Sequence, residues 1–111
     1  MHARFTFRLI SGDRTIEVNS MAVMPVDPAV VLPHGLKTIA DLVLRAGPSC
    51  QIDPRVLEAA LECITTSIIN QNTQWASSTA LLTGGWLIVG RLDKRDDSRA
   101  DEPYLPMAMA A

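Results

Sequence analysis

The sequence predicts a small α+β domain with elements in the order β-β-α-α-(α)-β. Three observations carry that prediction. Residues 4–19 alternate apolar and polar side chains around a glycine turn. Two later stretches place apolar residues at helical spacing and end at Gly47-Pro48 and at an Asn/Gln cluster. Finally, Trp86-Leu87-Ile88-Val89 is the most apolar run of the chain.

The hairpin comes first. Phe5, Phe7 and Leu9 alternate with Arg4, Thr6 and Arg8, and Ile16 and Val18 alternate with Thr15, Glu17 and Asn19. A period of two is that of half-buried strands. Ser11-Gly12-Asp13-Arg14 supplies the turn, and a Gly12-Asp13 loop fits a type II′ turn. This register sets Leu9 opposite Ile16 and Phe7 opposite Val18 on one face. On the other it sets Arg8 opposite Glu17, a favourable cross-strand charge pair.

Residues 20–34 contain Pro25, Pro28 and Pro33, which argue against a helix and against a central strand. An extended segment laid over the core is expected there, with a short edge strand at 29–32. A first helix is expected over 35–46, where Leu36, Ile39, Ala40 and Val43 share a face. Gly47-Pro48 stops it. A second helix opens with Asp53 as N-cap and Pro54 as its first residue. Leu57, Leu61, Ile64 and Ile68 form its stripe, with Glu58, Glu62 and Thr65 facing away. It ends near 70–72. Residues 75–83 suit a short third helix, broken by Gly84-Gly85. Trp86–Leu92 reads as a central strand, too continuously apolar to leave a wet face and so covered on both sides or by a second subunit.

Composition sets further bounds. The 111 residues carry a net charge of −2, with 48% apolar and 20% charged residues. One domain over 1–92 is expected, followed by a charged, disordered tail over 93–111. No basic patch marks a nucleic-acid binder. No leader peptide is expected from the opening Met1-His2-Ala3-Arg4, and no membrane span is expected, because Asn70, Gln71, Asn72 and Gln74 interrupt the charge-free stretch. A cytoplasmic protein with two free thiols is expected. Cys63 lies about 15 Å up the second helix from Asp53, while the three residues back to Cys50 reach at most about 10 Å.

No catalytic, cofactor or metal motif is legible. Phosphate-loop and dinucleotide glycine patterns are absent, as are a C-x-x-C pair and a sequon. A pocket between the helices and the last strand, using His34 and Cys50, is the catalytic or small-molecule alternative, and it needs a positioned partner for His34.

The informative stretch is the 28-residue run Cys63–Gly90, which holds no Asp, Glu, Lys or Arg but both tryptophans. Interface centres are depleted in charge and enriched in Trp. Trp86 belongs with the core strand, so the expected partner-binding residues are Asn70, Gln71, Asn72, Gln74, Trp75 and Thr79. The leading expectation is a non-enzymatic protein-interaction module that occludes or assembles a partner and forms a homodimer. At the level of class, and without a shared motif, the profile resembles small phage- or plasmid-type accessory proteins, including inhibitors of host defence such as anti-CRISPR proteins. A structural subunit of a larger assembly is the other alternative.

Overall fold

The structure, a computed structural model, describes residues 2–17 and 22–93. Strands β1 (His2–Ser11) and β2 (Arg14–Glu17) form the hairpin. Strand β3 (Ala22–Pro25) leads into helix α1 (Pro28–Ala46), a short 3-10 turn (Gly47–Ser49) and helix α2 (Pro54–Asn70). Strands β4 (Ala76–Leu81) and β5 (Leu87–Asp93) are the last of the described elements. The fold is α+β: one antiparallel five-stranded sheet in the order β2-β1-β5-β4, with β3 also paired to β1, and two helices on one face.

The hairpin forms in the expected register. Leu9 pairs with Ile16 and Arg8 with Glu17, and the Arg8–Glu17 ion pair closes at 3.3 Å. Gly12 takes φ +60° at the turn. Of the charged tail expected over 93–111, Asp93 is instead the last residue of β5, while residues 94–111 and Val18, the expected partner of Phe7, lie outside the described residues.

Three expectations are corrected. Residues 28–34 are helical, so α1 begins seven residues before the expected start at 35, and among the described residues the strand of this region lies at 22–25 and not at 29–32. Pro28 stands first in the helix, where its missing N–H costs nothing, and Asp27 caps it by accepting from Ala29 N at 3.0 Å. Pro33 lies inside the helix. The helix continues through it because Val31, Gly35, Ile39, Leu42 and Ala46 form one buried stripe, and tertiary packing outweighs one lost backbone bond. Second, residues 76–81 form a strand and not a third helix. Ala76, Ser78 and Ala80 turn toward the helices while Ser77, Thr79 and Leu81 face out, a strand alternation hidden by small residues. Third, Thr65 is 1% exposed and its hydroxyl has no partner among the described residues, so it faces inward.

The expected α2 start holds, with Asp53 Oδ1 accepting from Arg55 N at 2.8 Å. Both cysteines are free, Cys50 buried and Cys63 exposed.

The core lies between helices and sheet. Phe5, Phe7 and Leu9 of β1 and Ile88 and Leu92 of β5 meet Val31, Ile39, Leu42, Leu61, Ile64 and Ile68. Each such side chain contributes about 1.5–3 kcal/mol. Two glycines allow the close approach. A Cβ on Gly35 of α1 would stand 3.0 Å from Phe7 Cζ. A Cβ on Gly90 of β5 would overlap the Ile64 Cγ2 methyl and press on the Phe7 ring at 3.2 Å.

Trp86 is 3% exposed just before β5, as its assignment to the core requires. Its Nε1–H donates to Ser49 O at 2.9 Å, and the Arg14 guanidinium lies over its ring, 5.6 Å from the centroid. Arg14 also donates to Ser49 Oγ at 3.0 Å. The hairpin turn, the end of α1 and the start of β5 are thereby tied together, with a cation placed at a helix C-terminus, where the dipole favours it.

Candidate functional site

The helices cover one face of the sheet, and among the described residues nothing covers the other. Strand β5 is central, as expected, but it is wet on one side: Ile88, Gly90 and Leu92 are buried, whereas Leu87 and Val89 are half-buried and Arg91 is exposed. The open face runs in cross-strand rows. One row is apolar (Ile10, Leu87, Leu81), the next mixed (Arg8, Val89, Thr79) and the third polar (Thr6, Arg91, Ser77).

A groove of roughly 520 Å³ lies on this face, walled by Thr6, Arg8, Ser77, Val89 and Arg91, with Trp75 and Gln71 at its rim. Both arginines already have anions beside them. Arg8 pairs with Glu17, and Arg91 Nε meets Asp93 Oδ1 at 2.7 Å. The groove is therefore polar, with the charge of each arginine offset by a neighbouring carboxylate.

Trp75 precedes β4 and is 51% exposed, a large aromatic left in water where Trp86 is fully used. Thr73 Oγ1 donates to Trp75 O and fixes the turn into the strand. From there β4 forms one edge of the sheet, beyond β5, with the sequence Ala-Ser-Ser-Thr-Ala-Leu. It contains no charge and no proline. Its last residue, Leu81, is 73% exposed.

The six expected contact residues divide. Trp75 and Thr79 share the open face, and Gln71 lines the groove beside them. Asn72 and Gln74 are exposed in the connecting turn. Asn70 belongs elsewhere: it ends α2 and shares a shallow depression with Cys63 and Thr66 on that helix's outer side. Sequence reasoning missed Thr6, Arg8, Val89 and Arg91. The signal was the alternation Leu87, Val89, Arg91, whose last member shows that one side of β5 meets water.

His34 and Cys50 do not share a site. His34 sits in the second turn of α1, with its ring 6.1 Å from Phe7 and its Nε2 3.4 Å from Thr38 Oγ1. Cys50 follows the opposite end of that helix, and the twelve residues from His34 to Ala46 alone span about 18 Å. Burial pushes the Cys50 thiol pKa up, with Arg14 opposing it, so its thiolate is disfavoured. Burial and then Lys37 lower the His34 pKa. Among the described residues no group of three or more His, Cys, Asp or Glu is placed to hold a metal ion, and no helix is long and apolar enough to cross a membrane.

No known protein family, characterised protein or solved structure matches this chain.

Proposed function

We propose that the chain is a non-enzymatic protein-interaction module whose contact surface is Trp75, the free edge of β4 and the adjoining groove of the open face. One observation carries this reading: a half-exposed tryptophan stands at the head of an uncharged sheet edge that no described strand pairs with. Strand edges recognise protein through backbone hydrogen bonds, and an aromatic anchor beside them supplies affinity. The separation of His34 from Cys50 supports the non-enzymatic part, because nucleophile and base need hydrogen-bond proximity. The test uses the full chain as bait in extracts of its native host. Trp75→Ala and Leu81→Lys are expected to cut capture of the bound partner at least tenfold without shifting the melting temperature. Capture equal to wild type in both variants would refute the assignment of this surface.

A further inference from the structure

We infer that the β4 edge pairs with the β4 edge of a second copy of this chain, joining two five-stranded sheets into one continuous sheet. The inference rests on the reading of this edge as an interaction surface and names its occupant.

The sheet treats its boundaries differently. At the other end β2 is four residues long and carries Arg14 and Glu17, and β3 is four residues long and ends in Pro25. Short length, charge and proline are devices that block edge pairing. Strand β4 has none of them.

Backbone direction fits as well. Leu82 N–H donates to Trp86 O at 2.6 Å, which aims residue 82 at β5. Antiparallel ladders alternate, so Ser77, Thr79 and Leu81 aim their N–H and C=O groups outward.

The side chains identify a second copy. Trp75 and Leu81 are the two large apolar residues exposed along this edge, at 51% and 73%. Both belong to the open face, and Ser78 lies midway between them. A two-fold axis normal to the sheet at Ser78 sets Ser78 opposite Ser78 of the second copy. It then sets Ser77 opposite Thr79, Ala76 opposite Ala80 and Trp75 opposite Leu81, twice over. Facing residues in this register share a face, as pairing demands. The outward-aimed residues 77, 79 and 81 fall in the hydrogen-bonding positions. No like charges meet, and each exposed tryptophan covers an exposed leucine. The closed two-fold contact leaves no free β4 edge, so assembly stops at the dimer.

A six-residue edge is a small contact, so the dimer is expected to be of micromolar strength. Sedimentation equilibrium of the full chain from about 1 to about 500 µM should show a reversible monomer–dimer equilibrium. Leu81→Lys, at a position exposed in the monomer, should raise the dissociation constant at least tenfold. Thr79→Pro, which removes an outward donor and no bond to β5, should do the same. In a Cys63→Ser background, Ser78→Cys should cross-link two copies on oxidation far more readily than Ser77→Cys, since facing Cα atoms at Ser78 would be about 4.5 Å apart. A strict monomer over that range, a dimer indifferent to Leu81→Lys, or equal cross-linking at 77 and 78 would overturn the inference. A monomer that still captures a foreign partner through Trp75 would overturn only the pairing of copies and leave the interaction-module reading standing.

Discussion

The two faces of the sheet are built from the same strands yet obey different rules. On the helix side, α1 closes on Phe7 of β1 at Gly35 and Ile64 of α2 closes on β5 at Gly90, and glycine is needed at both positions for the helices to approach. On the open side, Arg8, Val89 and Arg91 sit in water or a shallow groove, with their ion pairs half exposed. Stability is therefore concentrated on one face, which leaves the other free to vary chemically. Substitutions should fall into two groups accordingly.

The largest effect is expected from Phe7→Ala, which empties the point where α1, α2 and the sheet meet. A loss of about 3–5 kcal/mol in chemical denaturation is predicted; a loss under about 1 kcal/mol would refute the location of the core. Gly90→Ala comes next. Its methyl collides with Ile64, and overpacking of this kind costs about 1–3 kcal/mol. Strand propensity alone favours alanine over glycine, so the sign of the change separates the two causes. Thr65→Val should move the other way, gaining about 1 kcal/mol, because it removes a buried hydroxyl without a partner among the described residues. On the open face Arg8→Ala should cost under about 1 kcal/mol, an ordinary value for an exposed ion pair. A larger loss would mean that this face also bears structural strain.

The smallest effect is a pH dependence. The folded chain holds the His34 pKa below its ordinary value of 6.5, by burial first and Lys37 second. The unfolded chain then binds the proton more readily, so stability falls as pH drops below about 6.5 and levels off below the lowered folded value. His34→Gln should flatten that part of the profile. An unchanged profile would show that another group titrates there.

Much of the fold was legible because local signals agreed. Gly12, the alternation around it and the Arg8–Glu17 charge pair specify one hairpin register. Asp53-Pro54 marks α2 to the residue. The failures share a cause: tertiary packing outweighed a local preference. Asp27-Pro28 carries the same helix-opening pair as Asp53-Pro54, but Pro33, five residues after Pro28, masks it until the buried stripe from Val31 to Ala46 is seen. Strand β4 was illegible because alanine and serine give almost no hydrophobic contrast between its faces. Half of the candidate site was visible as absence of charge around Trp75. The remainder, from Thr6 to Arg91, depends on which strands become neighbours, and pairing across the whole chain leaves no local trace.

The β1–β5 pairing also sets a temporal order. Arg4 faces Asp93, a separation of 89 residues along the chain. Closing so long a loop is entropically slow, and non-local pairings of this kind lengthen folding times. During synthesis the hairpin and both helices are made before β5. Until β5 arrives, Phe5, Phe7 and Leu9 belong to a strand that lacks its central neighbour. The nascent protein therefore passes through an interval in which a core strand has an open flank, and the speed with which β5 docks governs how much of it escapes aggregation.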